Sequence, residues 1–283
     1  MKLHQLKINF TSALKDVHHQ EEIVSFFYML CDFFLKYSRF QTSLNKDITI
    51  SKAHISSFEM ATERLKAQEP IQYILGETEF YGLTFKLTKD TLIPRPETEE
   101  LVDWILSNES FHQVPCRILD IGTGSGCIAV AVAKSLPVAS VSAIDISQEA
   151  LEIATANALE NEVLVAFHKK DILKVTNLKQ TYDVIISNPP YVRELEKTAM
   201  SSNVLEYEPA SALFVTNEDP LVFYRKIAQL ALESLSPEGW LYFEINEYLA
   251  TEMSILLAQL GFMKIEIKKD FRAVPRMIKC QKI

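Results

Sequence analysis

The chain has 283 residues, 48% hydrophobic and 23% charged, which excludes a largely disordered protein and allows one large or two ordinary domains. The formal charge of −8 is uneven: residues 1–75 hold nine Lys/Arg against eight Asp/Glu (+1), and the remainder 20 against 29 (−9), so the larger part lacks the basic footprint of a broad nucleic-acid surface. Four scattered cysteines (Cys31, Cys116, Cys127, Cys280) form no CxxC, so neither a disulfide framework nor a metal site is expected; with no signal-peptide core and no apolar stretch of membrane length, the expected setting is the cytoplasm.

Residues 1–75 contain no glycine and repeat a helical period. Ile23, Phe26, Phe27, Leu30, Phe33 and Phe34 fall at 3- and 4-residue steps, and Ile55, Phe58, Ala61 and Leu65 repeat the pattern over Ser51–Leu65. A small helical domain over 1–75 is expected. Next, Glu79–Tyr81 and Leu83–Leu87 flank Gly82 and predict a hairpin connector within 76–92. In Ile93-Pro94-Arg95-Pro96-Glu97-Thr98-Glu99-Glu100, two prolines stiffen the backbone around Arg95, and Pro96 or Thr98 opens a helix rich in glutamate.

Beyond Arg117 strands and helices alternate. Strands are expected at Arg117–Ile121, Ser140–Ile144, Glu162–His168, Tyr182–Ser187, Gly239–Ile245, Phe262–Lys269 and Arg276–Lys282. The intervening helices are expected at Cys127–Leu136, from the Ser147 cap to Glu160, Pro220–Leu235 and Glu247–Leu260. Alternation predicts an α/β domain over 93–283, a mostly parallel sheet covered by helices on both faces.

In such a sheet ligands bind beyond the carboxyl ends of the strands. The first strand is followed by Asp120-Ile121-Gly122-Thr123-Gly124-Ser125-Gly126, three of the chain's seven glycines within five residues, allowing close ligand approach at a helix N-terminus. The spacing differs from the dinucleotide G-x-G-x-x-G. Asp145 ends the second strand, where a carboxylate can accept from ribose hydroxyls, and Asp171 with Ile172 follows the third, a polar contact and an apolar wall for a base. Asn188-Pro189-Pro190-Tyr191 follows the fourth. Each of the first two residues precedes a proline, so the corner is stiff and extended. It suits a planar –NH2, with one hydrogen to the Asn188 side-chain oxygen, one to the Pro189 carbonyl, and Tyr191 against the flat face. S-adenosylmethionine accounts for all four strand ends. A nicotinamide dinucleotide leaves the Asn-Pro-Pro-Tyr corner unexplained.

The glycine loop, Asp145 and Asn-Pro-Pro-Tyr resemble the class I S-adenosylmethionine-dependent amino-methyltransferases. Gln72-Tyr-Ile-Leu-Gly76, Phe80-Tyr-Gly82 and Leu92-Ile-Pro-Arg-Pro-Glu-Thr-Glu-Glu-Leu-Val102 narrow the resemblance to the release factor glutamine N5-methyltransferases, the PrmC/HemK family. That resemblance implies a Rossmann-like seven-stranded sheet with an antiparallel last strand and a helical domain that grips the protein substrate. It further implies S-adenosyl-L-methionine held by Asp120, Gly122, Thr123, Gly124, Ser125, Gly126, Asp145, Asp171, Ile172 and Asn188. Asn188, Pro189, Pro190 and Tyr191 would hold, and with Arg95 bind, the glutamine of the Gly-Gly-Gln loop of class I peptide chain release factors. A monomer acting on protein, without direct nucleic-acid contact, is expected. The alternative is a ribosomal-protein glutamine or nucleic-acid amino-methyltransferase using the same corner. Pro220, Asn246 and Ala273 stand where similar sequences carry glycine, and Leu249 where glutamine is frequent, which bears on local loop shape.

Overall fold

The computed structural model describes residues 1–283, and contacts divide it into two units, Met1–Gly76 with Ser201–Tyr207, and Glu77–Met200 with Glu208–Ile283. The first unit contains α1 (Leu3–Leu14), α2 (Gln20–Leu35), α3 (Arg39–Leu44), α4 (Lys52–Lys66) and α5 (Ile71–Leu75). The aromatic stripe of α2 packs inward through Ile23, Phe27 and Leu30 against Phe10, Phe58 and Leu65, while Phe26 and Phe34 are half-buried at its margin. Ser38 and Ser51 cap α3 and α4 by accepting from Gln41 N and His54 N, as hydroxyl caps do. Gly76, at φ +74°, ends α5 in the left-handed region.

Two boundaries differ from expectation. The short helix Ser202–Tyr207 groups with the helical unit, where Ser202 Oγ donates to Gln68 Oε1 (2.7 Å) and Tyr207 Oη to the Ala67 carbonyl (2.8 Å). The hairpin is no separate linker. Its strands β1 (Glu77–Phe80) and β2 (Leu83–Lys86) turn at Tyr81 and Gly82, both at positive φ, and bury Phe80 and Phe85 in the core of the second unit.

The second unit continues with α6 (Pro96–Leu106), α7 (Ser110–Gln113), β3 (Arg117–Ile121), α8 (Cys127–Ser135), β4 (Ser140–Asp145), α9 (Gln148–Glu160), β5 (Val165–Lys169), β6 (Tyr182–Ser187) and β7 (Val192–Arg193). After the excursion through α10 (Ser202–Tyr207) come α11 (Ala210–Leu213), β8 (Phe214–Val215), α12 (Val222–Ser234), β9 (Leu235–Glu244), α13 (Ala250–Gln259), β10 (Met263–Lys269) and β11 (Pro275–Gln281). Seven strands form one sheet in the order β10-β11-β9-β6-β3-β4-β5, in which β3, β4, β5, β6 and β9 run parallel and β11 lies antiparallel to both its neighbours. This is the seven-stranded, class I methyltransferase arrangement. Side chains alternate across it: Ile118, Val184 and Ile186 face α6 and α8, and Leu119, Ile121 and Ile185 face α12 and α13.

Some element ends move. β5 starts three residues later than expected, because Glu162 turns at φ +57° and delays pairing. β9 begins at Leu235, with a bulge between the Tyr182 and Val184 pairings, so Gly239 lies inside it. Residues Glu247–Leu249 form a 3-10 turn that Asn246 caps, and α13 begins only at Ala250. The sequence pattern did not reveal the small β7–β8 sheet.

Two residues at the β3–α8 junction set testable limits. Gly126 sits at φ +82°, and a Cβ there would lie 2.9 Å from Ala154 Cβ. A left-handed alanine costs ~1–2 kcal/mol and overpacking ~1–3 kcal/mol. Gly126→Ala is therefore expected to lower stability by roughly 2–5 kcal/mol, seen as a lower urea midpoint at unchanged slope. Asp120 is fully buried at the end of β3. Burial is the main cause that pushes its carboxyl up from 3.8 to about 7; the Thr123 hydroxyl opposes this and the Asp145 charge adds to it. Because the folded value is raised, its contribution to stability is full below the unfolded value and is lost as pH rises through about 7. Relative to Asp120→Asn, the native chain is expected to lose up to about 4 kcal/mol between pH 4 and pH 7, read from urea melts of both proteins. A constant difference across that range would contradict it.

Candidate active site

The strand order reverses at β3, which has β4 on one side and β6 on the other, so the loops beyond their carboxyl ends adjoin. Ser187 Oγ donates to the Ile121 carbonyl (2.6 Å), tying the end of β6 to the end of β3. Gly122 and Thr123 donate their amides to the Ile144 carbonyl, and Lys170 N donates to the Asp145 carbonyl (2.8 Å). Asp171, Asp145, the glycine loop and Asn188 thus follow four neighbouring strands in the expected order.

Four amides of the glycine loop are bonded within the protein. Gly122 N and Thr123 N bond the end of β4, Gly124 N donates to Asp145 Oδ2 (2.8 Å), and Gly126 N donates to the Thr123 carbonyl. Asp145 Oδ1 accepts from Ser147 N (3.0 Å), so the carboxylate is oriented by two amides, and each oxygen keeps a second lone pair for a hydroxyl. Thr123 Oγ1 donates to Asp120 Oδ2 (2.6 Å), whereas Asp120 Oδ1 and Ser125 Oγ are buried without a hydrogen-bond partner. Such orphaned polar atoms are uncommon, and here Asp120 Oδ1 can accept from a cationic amine while the Ser125 hydroxyl can donate to a carboxylate. Gly122 and Gly124 hold φ +76° and +54°, and a Cβ at Gly124 would meet nothing within 4 Å, so that side of the loop is open. Asp171 lies in a local turn, with Oδ1 accepting from Leu173 N (3.1 Å) and Oδ2 against Lys174 Nζ (3.1 Å); Ile172 packs half-buried beside it.

A buried carboxamide bridge supports the loop from behind. Asn157, fully buried on α9, donates from Nδ2 to the Ser125 carbonyl (2.8 Å) and the Lys86 carbonyl (3.1 Å), and its Oδ1 accepts from Lys86 N (2.7 Å). It joins the hairpin to the glycine loop.

Beyond β6, Pro189 is buried, and Asn188, Pro190 and Tyr191 are half-buried. Asn188 Nδ2 donates to Thr98 Oγ1 (3.3 Å), Thr98 Oγ1 donates to Glu244 Oε2 (2.6 Å), and Tyr191 Oη donates to Glu244 Oε1 (2.9 Å). Glu244, at the end of β9, is 1% exposed. Burial pushes its carboxyl up, while the Thr98 and Tyr191 hydroxyls and the Arg276 charge pull it back. Burial, with the Glu244 charge, likewise raises the Tyr191 phenol well above its ordinary value, so it stays a donor. Asn246 Nδ2 donates to the Tyr191 carbonyl (3.0 Å), giving a role to one residue that departs from the expected glycine; Ala273 occupies φ +64°, a conformation that favours glycine. Thr98 and Glu244 were not singled out from sequence, although Thr98 lies in the Pro-Glu-Thr stretch and Glu244 is an isolated carboxylate in an apolar run.

Arg95 faces inward. Its guanidinium lies 2.5 Å from Glu208 Oε1, a carboxylate 1% exposed at the side chain that also accepts from Ile93 N (3.2 Å). Leu92, Arg95, Asn188, Pro189, Tyr191 and Leu213 line a small concavity with Glu244 at its wall. No cluster of His, Cys, Asp or Glu is arranged for a metal, and no helix is long and apolar enough to cross a membrane.

Residues 105–213 match the Methyltransferase small domain family, and residues 5–76 the PrmC N-terminal domain. A release factor glutamine methyltransferase of Flavobacterium psychrophilum is 49% identical over 281 residues, covering 99% of each chain. One of Bacteroides thetaiotaomicron is 43% identical and covers 94% of this chain and 95% of its own. Among solved structures, a methyltransferase of Pyrococcus furiosus superposes with a TM-score of 0.53 at 20% identity, over 80% of this chain and 98% of that one, a likeness of fold. By its identity to full-length relatives, the chain belongs to the release factor glutamine methyltransferase family.

Proposed function

We propose that this chain transfers a methyl group from S-adenosyl-L-methionine to the side-chain nitrogen (N5) of the glutamine in the Gly-Gly-Gln loop of class I peptide chain release factors. The observation that carries it is the Asn188 corner at the end of β6, beside a glycine loop with orphaned buried polar atoms. We assign Asp145 to the ribose hydroxyls, Asp171 and Ile172 to the adenine, and Asp120 with the Gly122–Gly126 loop to the amino-acid tail. When bound, S-adenosyl-L-methionine supplies an electrophilic methyl carbon.

The residues of this chain supply position. An amide nitrogen is a poor nucleophile because its lone pair is delocalised. Asn188 Oδ1 and the Pro189 carbonyl each take one hydrogen of the substrate –NH2, which raises electron density at nitrogen and turns the group towards the methyl. In a near-attack arrangement such positioning is worth ~7–11 kcal/mol. Tyr191 presents its ring beside the amide while Glu244 holds its hydroxyl. Arg95, paired with Glu208, stiffens the Pro-Arg-Pro wall and contributes to substrate binding through its half-exposed edge. The helical unit recognises the release factor. The enzyme works as a monomer in the cytoplasm and acts on protein without contacting nucleic acid directly, in keeping with the −9 balance beyond residue 75.

Asn188→Ala is expected to abolish transfer while S-adenosyl-L-methionine still binds, measured with labelled cofactor and with release factor, ribosomes and DNA offered separately. Label in release factor alone supports the proposal. Label only in nucleic acid or in a ribosomal protein would replace it with the corresponding amino-methyltransferase.

A further inference from the structure

The acceptor role of Asn188 requires that its carboxamide oxygen, and not its –NH2, face the substrate. Residue 188 cannot decide this alone, because the two ends of a carboxamide have nearly the same shape. The decision lies behind it. Glu244 has an oxygen facing each of two hydroxyls, Thr98 at 2.6 Å and Tyr191 at 2.9 Å. The first distance is in the range of a hydroxyl bonded to an ionised carboxylate. A carboxylate can only accept, so the single proton of Thr98 is committed to Glu244, and Thr98 Oγ1 has only lone pairs to offer Asn188. Asn188 must then turn Nδ2 inward, as observed at 3.3 Å, leaving Oδ1 for the substrate.

We propose that Thr98 and Glu244 are positioning residues that set the orientation of the Asn188 carboxamide through a hydrogen-bond relay of fixed polarity. Reversing Asn188 would draw the Thr98 proton away from Glu244 and strand a carboxylate oxygen that water does not reach. The acceptor end of the relay is itself anchored. Tyr224 Oη donates to the Glu244 backbone carbonyl (3.0 Å), and Arg276, held by Asp270 (3.2 Å), adds a positive charge beside Glu244 and Tyr191. The inference rests on the methyl transfer proposed above.

Thr98→Val keeps the shape and removes the hydroxyl, Thr98→Ser keeps the hydroxyl, and Glu244→Gln places an amide that can donate to Thr98 and release its proton towards Asn188. Steady-state methylation of a release factor is expected to show kcat lowered roughly tenfold or more in Thr98→Val and Glu244→Gln, with KM for the release factor and Kd for S-adenosyl-L-methionine within about twofold of the native values. Thr98→Ser is expected to recover most of the turnover. If Thr98→Val melts at the assay temperature, Glu244→Gln and Thr98→Ser carry the test. Native-like kcat in a folded Thr98→Val or Glu244→Gln protein would overturn the relay, as would a Thr98→Ser protein that folds but is as slow as Thr98→Val. A native enzyme that leaves the release factor unlabelled would instead overturn the proposed reaction, so the two failures are distinguishable.

Discussion

Two hydroxyls converging on one dry carboxylate organise the reactive end of this sheet. A buried charge is tolerated only when its lone pairs are met, and Glu244 meets that demand with Thr98 from the start of α6 and Tyr191 from the corner after β6. The requirement acts in both directions. The carboxylate needs those donors, so the helix that begins at Pro96 and the corner at Asn188 are both drawn to the end of β9. The Pro-Arg-Pro segment is stiff for a related reason: Glu208 clamps Arg95 and the Ile93 amide, which fixes the approach to α6 before Thr98 is reached.

The other half of the site follows from strand order. A parallel sheet whose strand order reverses at β3 leaves a crevice where adjacent loops diverge, and the side chains at those strand ends become neighbours without further design. Four of the loop amides, those of Gly122, Thr123, Gly124 and Gly126, are bonded within the protein, which fixes the loop's shape. A rigid loop of this kind presents a shaped wall, and the buried oxygens of Asp120 and Ser125 supply its polarity.

Much of this was legible in the sequence because apolar runs announce parallel strands, and the residue just past each run lies at that strand's carboxyl end. Asp145, Asp171, the glycine loop and Asn188 were located in that way. The partnership of Thr98 with Glu244 was not, since 146 positions separate them and a glutamate inside Trp-Leu-Tyr-Phe-Glu-Ile gives no sign of which hydroxyls it meets. Arg95 illustrates the same limit. Its stiff surroundings were evident, but its carboxylate partner lies 113 residues away, beyond a short helix that groups with the other unit. Local pattern fixes periodicity and turns, whereas side-chain pairing across the sheet depends on register that only the folded chain defines.

The carboxamide of Asn157 makes the hairpin part of the glycine loop's foundation. It bonds the backbone of Lys86 on both sides and the carbonyl of Ser125, and Phe80 and Phe85 fill the core beneath. A catalytic unit cut free at residue 93 would carry a buried amide with two of its three partners missing and an apolar hollow where two aromatic rings had been. The natural place to divide this chain is therefore Gly76, at the left-handed end of α5, ahead of the hairpin.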